Sequence, residues 1–406
     1  MKEDRVVTTR RLLSLALAGA VLSAAQAARA QAPKPPVRTY DSPYYVIHTD
    51  LDPNAVPEIA AHLTAMGEAY YERTRPFAGE VTSKFQFTLL QLESDFLASG
   101  GLAGNTVTPL GTRLLAWGKT LEQVPWYGIQ SMGFEQFARR SGVGRIPQWT
   151  ERGMCVYFGH ALWTGDGMTA GTVPAFRLKR LREYLAKNDL LTPRQIIELP
   201  FADWFTQRKE RNHDQAWSMV HYLMHAEGGK HAPVLWDYIK DTAGPRRANP
   251  WEAFAGRFGA DGKAFDEAYR AWWKALPDDS SAGLKAEAAV ATLTSFLARA
   301  HALKMKFATA EEFFQAARDG KIKLDWTKDP TMWLPDSLLT GALKGADRLG
   351  TWSLDVKKPL PVLVLTDSGG ATFTGTFTLP PNRHPAVKVE RKEPKTKPAS
   401  QPASGR

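Results

Sequence analysis

The sequence of 406 residues has one cysteine, Cys155. No internal disulfide can therefore brace it, and the hydrophobic core must carry its stability. A charge excess is also missing from the body of the chain. The formal +10 sits at the ends: residues 1–30 hold five Lys/Arg against two acids and residues 383–406 hold seven against two, which leaves +2 between them. That is too little for an extended phosphate-binding face, so no nucleic-acid partner is expected. There is no internal repeat. A bilayer span needs about 20 apolar residues. The run from Leu12 to Ala25 is shorter and is followed by small residues and then Pro33, Pro35 and Pro36, so no transmembrane segment is expected in the mature chain.

What is present begins with the marks of an export signal. Lys2, Arg5, Arg10 and Arg11 precede the apolar run, and Ala28-Arg29-Ala30 offers a cleavage site before Gln31. Arg10-Arg11 ahead of Leu12-Leu13 also resembles a twin-arginine signal, so the route of export stays open. The expected location is periplasmic, cell-envelope or secreted. Hydrophobic residues make up 43% of the chain, with 13 Trp and 19 Phe, enough to bury a large core with a smaller unit appended.

The spacing predicts an α+β fold in which a small sheet precedes a helical body. Tyr44 to Thr49, Phe85 to Leu92 and Arg113 to Trp117 read as strands, with a helix from about Ala55 to Arg73 between the first two. Helices are expected over Leu121 to Arg140, Pro147 to Trp163, Pro174 to Lys187, Asp214 to Glu227 and Ala232 to Thr242, with two more through Phe254 and Trp272. After Pro277-Asp278-Asp279-Ser280-Ser281, helices near Leu284 to Met305 and Ala310 to Arg318 lead into strands at Thr351 to Val356, Leu360 to Leu365 and Ala371 to Leu379. Asp367-Ser368-Gly369-Gly370 marks a hairpin between the last two. The expected divisions are a signal at 1–30, a Pro-rich linker at 31–42, a main domain at 43–277, a C-terminal helical and β unit at 278–382, and a disordered basic tail at 383–406.

The segment from Tyr127 to His160 says most about function. Ser131-Met132-Gly133-Phe134-Glu135-Gln136-Phe137 is followed by Pro147-Gln148-Trp149-Thr150-Glu151-Arg152-Gly153 and Tyr157-Phe158, and later by Gln215-Ala216-Trp217. This order resembles the gluzincin-type peptidases of the peptidase-MA-like superfamily, in particular an exported branch known as a domain of unknown function, over about residues 40 to 275. Those peptidases carry H-E-x-x-H-Q on one helix and P-x-W-x-x-E-G-x-A-x-Y on the next. Two histidines and a glutamate bind zinc there, and the glutamate between the histidines activates water.

The resemblance places Ser131 at the first histidine, Met132 at the general base, Glu135 at the second histidine and Arg152 at the third ligand. All four functional positions are changed, whereas Gly133, Gln136, Pro147, Trp149, Gly153, Tyr157 and Phe158 match. It therefore implies no intact catalytic residue, no bound metal and no cofactor. Glu135 and Arg152 carry opposite charge at two former ligand positions, and they are expected to pair there with Ser131 as a neighbour.

Other constellations compete. His221 and His225 stand four apart, with His213 two turns earlier, a spacing that could hold a metal but lacks an obvious acidic or cysteine third ligand. Cys155 with His160 could form a nucleophile pair, although a buried inert thiol is the simpler reading. No histidine stands at a helical spacing from Ser131 that would activate it. Trp117, Trp126, Trp149 and Trp163 could stack on a sugar or peptide, or pack in the core.

The favoured expectation is a non-catalytic binding or structural module of the cell envelope. Its partner is an envelope or extracellular protein, a peptide or a glycan. The alternative is a metal-dependent hydrolase with a rearranged site built from Glu135, Glu151 and the His213 to His225 helix, in which case zinc is the cofactor.

Overall fold

Tyr45, Ile47 and Thr49 point inward along β2 (Tyr45–Thr49), and their alternation with partly covered neighbours fixes one face of a sheet. The computed structural model describes residues 35–394 apart from 143, 207, 245–246, 331 and 381–383. The expected export signal at 1–30 lies outside the described residues. The account below concerns the unit Thr39–Arg406.

The fold is α+β. β1 (Arg38–Asp41), β2, β3 (Phe85–Leu90), β5 (Arg113–Trp117) and β4 (Val107–Leu110) lie side by side in that order. β2, β3 and β5 run parallel, with Ile47 opposite Phe87 and Phe87 opposite Leu114. β4 closes the edge antiparallel to β5. The parallel β2–β3 connection passes through α1 (Val56–Thr74), which buries Ile59, Leu63, Met66 and Tyr70 at helical spacing. A short α2 (Glu93–Ala98) follows β3.

The helical body comprises α3 (Trp126–Arg140), α4 (Gln148–Gly159), α5 (Ala175–Ala186), α6 (Pro193–Ile197), α7 (Lys209–His225), α8 (Ala232–Ala243), α9 (Pro250–Phe258) and α10 (Lys263–Ala275). α4 packs along both α3 and α7. One apolar core runs from Tyr45 through Trp149 and Trp217 to Trp273.

A second core forms where α11 (Ala282–Ala302), α12 (Ala310–Arg318) and α13 (Asp336–Ala346) meet a four-stranded antiparallel sheet. That sheet has the order β11-β10-β9-β8, built from β8 (Gly350–Asp355), β9 (Val362–Asp367), β10 (Thr372–Thr378) and β11 (Ala386–Lys392). α11 approaches β10 so closely that a Cβ on Gly375 would lie 2.0 Å from Thr294 Oγ1. Only glycine fits at that crossing. No helix among the described residues is long and apolar enough to cross a membrane.

Five expectations are corrected. The helix expected from Leu121 begins at Trp126, because Pro125 forces Val124 into an extended conformation (ψ 125°). α4 stops at Gly159 rather than Trp163, and residues 162–169 form a hairpin of β6 (Leu162–Thr164) and β7 (Gly167–Thr169) around Gly165-Asp166. α7 starts at Lys209, five residues before the expected Asp214.

The linker assigned to 31–42 contains β1. The tail assigned as disordered from 383 contains β11, paired residue by residue with β10 from Ala386↔Thr378 to Lys392↔Thr372. Its pattern is Val387 and Val389 alternating with Lys388, Glu390 and Lys392. The low apolar content that suggested disorder is what an edge strand with one wet face requires.

Candidate functional site

α3 and α4 carry the four positions singled out in the sequence, Ser131, Met132, Glu135 and Arg152. Glu135 and Arg152 are almost completely buried, at 3% and 6% exposure, and they face each other across the helix crossing. Arg152 Nη1 donates to Glu135 Oε2 at 2.8 Å and Nη2 to Oε1 at 3.4 Å, a forked pair. Arg139, one turn along α3 and half exposed, donates to the same carboxylate. Gln148 Oε1 accepts from Arg152 Nε at 2.6 Å and Nη2 at 3.2 Å in the amide orientation that satisfies both partners. The Phe205 ring covers the guanidinium at 5.3 Å. The pair expected from the sequence is therefore formed, with more partners than the sequence suggested.

Ser131 is not part of it. This residue is buried against Gly159, whose added Cβ would lie 3.3 Å from Ser131 Cβ. Met132 packs at the margin of the main core. Glu151 is buried beside Arg152, and desolvation raises its carboxyl despite the attraction of that guanidinium. A cleft of about 450 Å³ opens at this point, lined by Arg139, Arg145, Gln148, Glu151, Arg152 and Phe201.

Five of the residues that carry the resemblance have a physical task in the structure. Gly153 lets α4 lie on α7: an added Cβ would meet Ala216 O at 2.6 Å and Val220 Cγ2 at 2.6 Å. Gln136 Nε2 donates to Gln86 O (3.0 Å) and Thr112 O (2.7 Å), tying α3 to the sheet. Trp149 Nε1 donates to Tyr238 Oη at 2.9 Å inside the core. Tyr157 Oη lies 3.1 Å from His225 Nε2 and accepts from Arg73. Phe158 stacks on Phe134 and meets Tyr70 edge-on.

The structure sets His221 and His225 side by side on α7, with ring centroids 4.5 Å apart, while His213 packs elsewhere, on Trp204. His221 Nε2 bonds Gly171 O at 3.0 Å, and His225 bonds Tyr157. Burial holds their imidazoles neutral, His221 at about 3 and His213 and His225 at about 4. The Arg152 charge adds to the depression of His213, which is the one α7 histidine that feels the pair. Among the described residues, no group of three His, Cys, Asp or Glu is placed to hold a metal ion.

Cys155 and His160 are not a nucleophile pair. His160 Nε2 accepts from Arg177 Nε at 2.7 Å. Cys155 is 2% exposed, and burial followed by the Glu135 charge pushes its thiol well up. A disulfide reagent is accordingly expected to titrate Cys155 at least a hundredfold more slowly in the folded chain than in urea. Equal rates by thiol-release absorbance would show the site open.

Sequence reasoning missed two clusters. Asp214 is fully buried and accepts from both Arg177 and Arg180, while Arg177 Nη2 reaches Tyr127 Oη at 2.7 Å. Nothing in the local spacing joins these residues, because they come from α3, α5 and α7. His62 of α1 lies between Trp126 and Trp163, with ring centroids at 3.7 and 4.2 Å and planes within about 22° of parallel. Its ring nitrogens have no hydrogen-bond partner among the described residues, and burial lowers it to about 3. The Gln130 amide lies close enough to offset part of that shift, though outside hydrogen-bond geometry.

Of the four tryptophans named in the sequence, Trp149 is core, Trp117 donates to Asn105 O, Trp126 stacks on His62 and Trp163 lines a cleft. Compared with known proteins, the sequence matches no family model and no curated protein.

Proposed function

We propose that this chain is an exported, metallopeptidase-like protein that has exchanged its zinc ligands for an internal ion pair and serves as a non-catalytic binding or structural module of the cell envelope. The observation that carries the reading is the Glu135–Arg152 fork. It joins the two positions at which the resemblance puts the second histidine and the third ligand of a gluzincin. A guanidinium with its hydrogens directed at a carboxylate and an amide offers no lone pair to a cation, and Met132 cannot take a proton from water. The order of Gln136, Trp149, Gly153, Tyr157 and Phe158, each with a packing or hydrogen-bonding task, supports descent of the helix pair from such a scaffold. Export is inferred from the basic, apolar and A-x-A segments of residues 1–30.

The test is elemental analysis of purified residues 31–406 without a His tag after dialysis against a weak chelator, alongside hydrolysis of unfolded casein with and without added zinc. The expected result is a folded chain with zinc far below stoichiometric and no hydrolysis above blank. Near-stoichiometric zinc would overturn the reading and direct attention to Glu135, Glu151 and His213.

A further inference from the structure

A cleft of about 670 Å³ lies away from the Glu135–Arg152 pair. α1 and the β6–β7 hairpin form one wall; Arg299 of α11 with Trp326, Pro330, Trp333 and Leu334 form the other. Its size falls within the roughly 300–1,000 Å³ usual for small-molecule sites. Three tryptophans line it: Trp163, Trp326 and Trp333. Trp163 is held as a fixed plate, because His62 stacks on it and Trp126 stacks on His62 in turn. Trp326 is 45% exposed, a large indole left open to solvent at the rim.

Four charged side chains share the cleft with these rings: Asp41, Glu68, Asp166 and Arg299. Arg299 is 1% exposed, and its Nε and Nη1 are committed to the carbonyls of Met332 and Ser295. Among the described residues its Nη2 has no hydrogen-bond partner, which leaves a fixed donor. Asp166, an exposed residue at the turn of the hairpin, accepts from Thr164 Oγ1 at 3.0 Å. The two charges are near enough to interact, yet they form no ion pair. An acceptor and a donor of opposite charge, separated and fixed, suit neighbouring hydroxyls of one neutral molecule. With Asp41 and Glu68 also in the lining, three carboxylates stand against one guanidinium, which disfavours an anionic ligand.

We propose that this cleft binds a neutral carbohydrate, with a sugar ring stacked on the indole faces of Trp163 and Trp326 and its hydroxyls bridging Asp166 and Arg299. Pyranose rings present flat C–H faces to indoles and paired hydroxyls at their edges, the two features the cleft answers. The proposal deepens the binding-module reading by naming a ligand class. It uses none of the residues of the lost metal site.

The test is calorimetry and tryptophan fluorescence on purified residues 31–406 with cellotriose, maltotriose and chitotriose up to millimolar concentration. Saturable binding of at least one is expected, weakened about tenfold or more by Trp326→Ala and by Asp166→Asn, both at exposed positions. Each variant is checked for an unchanged melting temperature. Failure of all three sugars to bind overturns the proposal, as does binding that survives both substitutions. Zinc content enters neither outcome, so failure here leaves the metal-site reading where it stands.

Discussion

Replacing Arg152 with methionine is expected to destabilise the folded chain by about 3–5 kcal/mol, the cost of stranding a buried carboxylate. Glu135 is 3% exposed and keeps only Arg139, whose side chain is half in solvent. Glu135→Leu is expected to cost somewhat less, because Arg152 retains Gln148 and the neighbouring Glu151. The double variant Glu135→Leu with Arg152→Met removes both charges together. It should return to within about 1–2 kcal/mol of the parent, since a buried pair and an apolar pair of similar volume are close in free energy. Urea unfolding of the four proteins at one pH completes the cycle. Additive single effects would mean that the two side chains do not act as a pair.

Lowering the pH from 7 to 5 is expected to remove about 2 kcal/mol of stability for each fully buried histidine. His62 and His221 both fall to about 3 in the folded chain, with burial the first cause in each. A base whose folded pKa is depressed contributes stability that is present above the unfolded value near 6.5 and is lost as pH falls toward the folded value. The unfolded chain takes up those protons and the folded chain does not. His160, His213 and His225 act in the same direction.

The raised carboxyls of Asp214, Glu151 and Asp166 act oppositely. Their contribution is lost as pH rises through the folded value and regained on acidification, which limits the net loss. His62→Phe isolates one histidine. It should flatten the dependence of stability on pH by about 1.4 kcal/mol per unit between pH 5.5 and 4, with no loss of stability at pH 7. An unchanged slope would show that His62 is protonated in the fold.

The parts of the fold that could be read from the sequence are those set by local periodicity. The spacing of Ile59, Leu63, Met66 and Tyr70 announces α1, and the helix expected over Ala310 to Arg318 has those bounds in the structure, where Thr309 caps it at Glu312 N. The edges were lost. β4 has only four residues and β11 has few apolar ones, and both owe their conformation to a partner strand that local sequence does not reveal.

The Glu135–Arg152 pair was legible because a motif fixed both positions on adjacent helices. Arg139 and Gln148, which complete its shell, were not, since any surface charge or amide could have filled those places. Trp163 was read as a helix end; the turn at Gly165-Asp166 puts it on a hairpin instead, where it can line a cleft. Arg299 gave no signal at all, because its cleft exists only once α11 packs beside β6.

The central claim is that an ion pair stands where a metal once did, and reversion tests it most directly. Ser131→His, Met132→Glu, Glu135→His and Arg152→Glu together install on α3 and α4 the three ligands and the general base that the proposed descent implies. Zinc per chain is then measured for the parent and the reverted protein, both shown to be folded by circular dichroism and a cooperative melt. The account expects little zinc in the parent and near-stoichiometric zinc in the reverted chain. Near-stoichiometric zinc in the parent, or a folded reverted chain that takes up none, would contradict it.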